Sequence, residues 1–241
     1  MIAIQADPSP AATLLRYARY AGVAMLVSIV FGFLGEAWIP GRIIVRGDAA
    51  ATAANILQHL TLFRLGFATY LVEGICDIAL CLFFYVLLKP VNRNLALLSA
   101  FFGIVSMAMY AVAESSYFAA SLVVQDGGGL SAFTAEQRNA LAMLCMRVFA
   151  MVASLFLGIY GIASAIRGFL IMRSGYLPKL IGVLLMLGGA GFLLRSTTYI
   201  LAPAYSTDLM LVPMALAGIP LTFWLLFRGA NRAALEGYPT P

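Results

Sequence analysis

The segment LGFATYLVEGICDIALCLFFYVLL, residues 65–88, is apolar throughout except for two charged residues, Glu73 and Asp77. At about 1.5 Å per residue, a helix of this length crosses the ~30 Å hydrocarbon layer of a membrane. The four-residue spacing stacks the two carboxyl groups on one helical face, where two ionised acids would repel each other. The segment therefore predicts a membrane-spanning helix with an unusual acidic pair.

The composition extends this interpretation to the whole chain of 241 residues. Hydrophobic residues make up 63% and charged residues only 10% of the sequence, which is far from the composition of soluble domains. Because lipid offers the backbone no hydrogen-bond partner, spanning segments must be helical. We expect an all-α, polytopic bundle, a single transmembrane domain with six transmembrane helices at about residues 15–38, 65–88, 95–118, 141–166, 177–201 and 209–227.

The connection between the first two spans contains the pattern of a short amphipathic helix, in GDAAATAANILQHLTLFR, residues 47–64. Asp48 is a favourable N-cap residue. Helical spacing places four apolar residues on one face, namely Ile56, Leu57, Leu60 and Phe63. We expect this helix in the first outer loop, where it either shields the ends of two spans or lies at the membrane interface.

Basic residues are divided unequally between the two sides of the predicted bundle, and the richer side should be cytoplasmic. Both termini belong to this richer side, which holds Arg16, Arg19, Lys89, Arg93, Arg167, Arg173, Lys179, Arg228 and Arg232, against Arg42, Arg46, Arg64 and Arg138 on the other. We expect a multi-pass membrane protein with both termini cytoplasmic. The sequence contains no basic segment interleaved with polar or aromatic side chains that could contact bases, so nucleic acid is not an expected partner.

Several charged residues fall inside the predicted spans, and each disfavours insertion by ~2.5 to 3.5 kcal/mol. In the predicted orientation all but Asp77, which lies near the midplane, are in the outer half of the membrane. We expect the others to face one another, with Arg147 and Arg195 pairing with Glu73, Glu114 or both. Glu36 and Arg64 complete the expected structural charge network.

Asp77 has no predicted base at its depth, and we therefore expect it to be the neutral acid of the pair. Polar stripes on spans three and five add Tyr110 and Tyr199 to the candidates. The candidates for a ligand-binding or proton site are Glu73, Asp77, Glu114, Arg147, Arg195, Tyr110 and Tyr199. Two interpretations stay open: the charges fix the register of the helices, or they line an outward-opening polar cavity.

Four stretches, in this order and spacing, resemble one family of membrane proteins: GDAAATAANI, KPVNRNLALL, RSGYLPKLIGVLL and WLLFRGANR. This family is the bacterial integral membrane family called domain of unknown function 4386. The resemblance covers residues 16–232. It implies a multi-pass protein of the bacterial cytoplasmic (inner) membrane, and it implies no activity.

No catalytic constellation emerges from the residue types. One histidine, in a loop, and three cysteines inside spans cannot supply a metal or haem site, and neither a metal nor another cofactor is predicted. We expect an accessory or small-ligand binding protein whose partners are the lipid bilayer and a small amphipathic ligand. The alternatives are a small proton-linked transporter and a membrane-embedded enzyme that uses a carboxyl acid on a lipid or isoprenoid.

The topology is testable by cysteine labelling. Cysteines introduced at Asp48 and Asp126 should react with a membrane-impermeant maleimide applied to the outer side of intact cells, because both loops are predicted to lie outside. A cysteine in place of Lys89 should react only after the membrane is permeabilised. The reverse pattern would overturn the predicted orientation.

Overall fold

The computed structural model describes residues 10–45, 47–125 and 130–231. Arg46, Asp126 and Arg232, on which some sequence-based predictions rest, lie outside the described residues. The chain forms eight α-helices within these ranges, α1 (Pro10–Gly32), α2 (Pro40–Ile43), α3 (Ala49–Gln58), α4 (Leu60–Leu88), α5 (Arg93–Val124), α6 (Ala135–Ser174), α7 (Lys179–Leu201) and α8 (Val212–Phe227). A π-helical turn, Phe33–Trp38, follows α1, and 3₁₀ turns, Pro203–Tyr205 and Asp208–Leu211, precede α8.

Six helical segments are long and apolar enough to cross a membrane, which confirms the predicted bundle. They are Ala11–Ile43, Leu60–Leu88, Arg93–Val124, Ala135–Ser174, Lys179–Leu201 and Asp208–Phe227. The largest difference from the prediction is α6, which is much longer than residues 141–166. A capping box of Thr134 and Gln137 begins it, and Gly175, with φ of 70°, ends it in the left-handed conformation that glycine favours.

The helix predicted in the first connection is present as α3. The side chain of Asp48 accepts a hydrogen bond from the backbone N–H of Ala51 at 2.8 Å, as an N-cap residue should. The helical path breaks at His59, and α4 begins at the next residue. Ile56 and Phe63 are fully buried while Leu57 is 49% exposed, so α3 packs against α4, α5 and α6 with a narrower apolar face than predicted.

The six long helices pack as a ring in the order α1, α4, α5, α6, α7 and α8, with α8 returning to α1. Within the described residues α1 touches neither α6 nor α7, so the ring encloses an interior space. We call the end of the bundle that carries α2 and α3 the α3 end. The opposite end is closed by a buried apolar core that includes Ala18, Leu87, Leu170, Ile171, Tyr176 and Leu225.

Glycines allow α6 and α7 to touch backbone to backbone. A Cβ atom added at Gly168 would lie 2.5 Å from the carbonyl oxygen of Gly182, and one added at Gly182 would lie 2.7 Å from that of Gly168. Small residues at such contacts let membrane helices approach closely. This contact holds one wall of the ring together.

We predict that Gly168→Ala lowers the unfolding temperature in detergent, since the added methyl group must push the α7 backbone away, at a cost of about 1 to 3 kcal/mol. Gly74→Ala is the matched control, because a Cβ atom added at this helical glycine meets nothing within 4 Å. The control should be neutral or slightly stabilising. Equal melting of the two variants would mean that α6 and α7 are not in close contact.

Candidate functional site

The ring of helices surrounds a cavity of about 690 Å³. All six long helices contribute to its lining, and it reaches from Pro40 and Ile44 at the α3 end to Phe84, Arg167 and Leu185 deep in the bundle. Most of the wall is apolar. The polar groups on the wall come from Ser28, Glu36, Tyr70, Glu73, Asp77, Tyr110, Tyr160, Ser164 and Arg167.

The cavity has a lateral gap between α1 and α8. The two helices are in close contact near the closed end, where a Cβ atom at Gly22 would lie 2.7 Å from the backbone nitrogen of Leu226. Toward the α3 end, Phe33 and Ile219 line the cavity and are 61% and 51% exposed, from which we infer that the two helices separate there. A Cβ atom at Gly218, also on the wall, would meet nothing within 4 Å. The gap is therefore bordered by apolar residues.

The π-helical turn places Glu36 on the cavity wall. In this turn the backbone N–H of Ile39 bonds to Leu34 rather than to Gly35, and the following residue, Pro40, has no N–H to donate. The carbonyl of Gly35 is thus left without a helical partner, and the buried hydroxyl of Tyr70 donates to it at 2.7 Å. Turns of this type are frequent at functional sites.

The carboxyl groups of Glu36 and Glu73 share one tyrosine. The hydroxyl of Tyr110 lies 2.8 Å from Glu73 Oε2 and 3.2 Å from Glu36 Oε1. A phenolic hydroxyl has a single proton and can donate it to only one of the two carboxyl groups. The other carboxyl group therefore depends on a proton of its own, on water or on a cation.

Glu73 approaches α1 closely because of a glycine. A Cβ atom at Gly32 would lie 2.6 Å from Glu73 Oε1, so a larger residue there would displace the carboxyl group from its present position. One turn further along α4, Asp77 accepts a hydrogen bond of 2.8 Å from the Ser28 hydroxyl. Glu73 and Asp77, the two acids of segment 65–88, are thus both held against α1, on the cavity wall.

Arg167 is a cavity residue that sequence analysis placed on the cytoplasmic side. It is only 4% exposed, its Nε donates to Ser99 Oγ at 3.2 Å, and its guanidinium lies over Phe84 and Tyr160 at 5.4 and 5.5 Å from the ring centres. It also interacts electrostatically with Asp77. The expectation that no base lies near Asp77 is therefore wrong.

The predicted pairing of arginines with the intramembrane acids is also wrong. Arg195 lies 3.2 Å from Asp208, an exposed residue of the 3₁₀ turn before α8. Arg147 is exposed and pairs with no acid of the described residues. Arg64 is exposed as well and donates to the side chain of Gln125 at 3.1 Å, so it does not belong to a network with Glu36.

Glu114 and Tyr199, the remaining candidates, do not line the cavity. Glu114 is 4% exposed and neither of its carboxyl oxygens has a hydrogen-bond partner, although it interacts electrostatically with Glu36 and Glu73. Tyr199 lies under the guanidinium of Arg195 at 5.3 Å, away from the acids. The structure thus brings together Glu36, Glu73, Asp77 and Tyr110 and leaves Arg64, Arg147, Arg195 and Tyr199 outside.

Aromatic residues form a continuous wall beside the acids. Tyr110 packs on Phe156 at 4.7 Å between ring centres, Phe156 on Tyr160 at 5.7 Å, and Tyr160 on Phe192 at 6.3 Å. All four line the cavity. Within the described parts of the chain, no group of three or more histidine, cysteine or acidic residues could hold a metal ion.

The fold and the cavity define a class, that of multi-pass helical membrane proteins with a partly polar interior. Residues 20–229 match the family described as "Domain of unknown function (DUF4386)", and the chain belongs to this family. An uncharacterized protein of Archaeoglobus fulgidus is 24% identical over 194 residues, which cover 77% of this chain and 99% of that protein. No solved structure matches this chain.

Two buried tyrosines in contact with each other provide a test of the site geometry. Tyr70→Phe should lower the free energy of unfolding by about 1 to 3 kcal/mol, because it leaves the carbonyl of Gly35 buried without a partner. Tyr117→Phe, the matched control, removes a hydroxyl that has no hydrogen-bond partner and should be neutral or stabilising. The measurement is thermal or chemical unfolding in detergent. A larger loss in Tyr117→Phe would contradict the hydrogen bonding at the π-helical turn.

Proposed function

We propose that this membrane protein binds a small amphipathic ligand in the cavity of its helix bundle. The cavity itself is the observation that carries the proposal. Its volume of about 690 Å³ lies within the range of ~300 to 1,000 Å³ that is typical of small-molecule sites. Such sites combine mostly apolar walls with a few convergent polar groups, and this wall has the same composition.

The arrangement of the charges supports binding rather than a purely structural network. A network that only fixes helix register would pair each buried acid with a base. Here Glu36 and Glu73 share a tyrosine hydroxyl and face open space, and neither forms an ion pair with a described residue. Groups that are left incompletely satisfied on a cavity wall are available to a ligand.

The lateral gap supports an amphipathic ligand. Its borders are apolar side chains of α1 and α8, which matches the tail of a molecule that partitions into lipid, while the carboxyl groups lie further inside. A transporter of the same ligand would need a second opening, and the apolar core occupies the opposite end. We therefore place ligand binding before transport and before acid-base chemistry on a lipid.

The experiment compares two phenylalanine substitutions at helical glycines that both have empty space beside them. Gly218→Phe should fill the gap and reduce the ligand that copurifies in mild detergent, as measured by untargeted mass spectrometry of organic extracts. Gly74→Phe, on α4 and outside the cavity lining, should retain it. Two outcomes would count against the proposal. One is that no copurifying molecule is reduced in Gly218→Phe, and the other is that both variants lose the molecule equally.

A further inference from the structure

The proposed ligand-binding function leaves open the chemistry of the ligand's polar end, and the cavity wall carries an excess of acid. Three carboxyl groups, those of Glu36, Glu73 and Asp77, line the cavity together with one base, Arg167. Arg167 interacts electrostatically with Asp77 without forming an ion pair with it. Glu36 and Glu73 are left with only the shared hydroxyl of Tyr110.

A second observation concerns Glu114, which lies close to Glu36 and Glu73 but does not line the cavity. Glu114 is 96% shielded from solvent, and both of its carboxyl oxygens lack a hydrogen-bond partner. Its electrostatic interactions are with Glu36 and Glu73, which places three acids around one region of the bundle without a base of the described residues among them. Of the three acids, Glu114 is buried, Glu73 is half-buried and Glu36 is exposed. A buried acid without a partner destabilises a protein unless a proton or a cation compensates it. A positively charged occupant beside Glu36 and Glu73 is one way to compensate these acids, and protonation is the other.

The aromatic residues beside this region favour an organic cation. Tyr110 meets Tyr70 edge-on at 5.8 Å and packs on Phe156 at 4.7 Å, and all three rings line the cavity. Aromatic faces attract ammonium groups, with a gain of up to about 2 kcal/mol when the cation is desolvated. A metal ion fits less well, because the acids do not converge on a common point among the described residues.

We propose that the ligand is a lipophilic amine whose ammonium group lies between the carboxyl groups of Glu36 and Glu73, with its apolar tail in the gap between α1 and α8. Arg167 does not oppose this placement. It contacts Cys81, which is eight residues beyond Glu73 on α4 and thus about 12 Å further along the helix. The inference rests on the proposed ligand binding and specifies its chemistry.

The test uses three probes with the same twelve-carbon tail and different head groups, dodecyltrimethylammonium, dodecanol and dodecanoate, added to the protein in lipid nanodiscs. We expect saturable binding of one dodecyltrimethylammonium per chain by native mass spectrometry, and much weaker binding of the other two probes. The double variant Glu36→Gln with Glu73→Gln should weaken binding of the ammonium about tenfold or more. Glu136→Gln, at an exposed acid outside the cavity, should not change it.

A measurement on the wild-type chain covers the case in which the double variant does not fold. A hydrophobic carbodiimide modifies carboxyl groups that are accessible from the membrane, and peptide mass spectrometry locates the modified residues. Dodecyltrimethylammonium should protect Glu36 and Glu73, and dodecanol should not. Protection of neither residue by the ammonium would overturn the inference.

The other outcomes separate this inference from the proposed function. Equal binding of dodecanol and the ammonium, unaffected by the glutamine variants, would overturn the cationic head group while leaving an amphipathic ligand in place. Preference for dodecanoate that is lost in Arg167→Gln would also overturn it, in favour of an anionic ligand. If none of the three probes binds in a saturable manner, the inference is wrong, and the copurification experiment at Gly218 decides the proposed function independently.

Discussion

The hydroxyl of Tyr110 connects three separate helical segments, because it reaches Glu36 in the π-helical turn and Glu73 on α4 from its own position on α5. This contact depends on the π-helical turn that presents Glu36. This π-helical turn depends on two residues. Pro40 has no N–H with which to bond the carbonyl of Gly35, and the hydroxyl of Tyr70 bonds that carbonyl instead. A local change in helix geometry thus builds the acidic part of the cavity.

The helices were predictable because they follow from local signals, although the ends of α6 were not. Long apolar runs identify the six spans, and Asp48 acts as the N-cap residue that its side chain suggests. The acidic pair of α4 was also recognisable as unusual from spacing alone. These properties depend on hydropathy, helical rise and capping, none of which requires knowledge of how the helices are arranged around one another.

The pairing of the charges was not predictable, because depth in the membrane does not specify the direction in which a side chain points. Arg195 lies at a depth similar to that of the predicted acids, yet it turns to Asp208 in a 3₁₀ turn that the sequence pattern did not reveal. The predicted fourth span, residues 141–166, ended one residue before Arg167, and Arg167 was therefore predicted to lie in a loop. The small residues near it, Ser164 and Gly168, were the available signal that this part of α6 remains buried.

The corrected position of Arg167 gives the cavity two chemically different ends. Glycine makes room at both, since a Cβ atom at Gly32 would strike the Glu73 carboxyl group and one at Gly103 would lie 2.8 Å from the guanidinium of Arg167. At the deep end, Arg167 interacts electrostatically with Asp77. Near the lateral gap, Glu36 and Glu73 lack such a partner. A molecule that enters from the membrane therefore meets the uncompensated acids before it reaches the arginine.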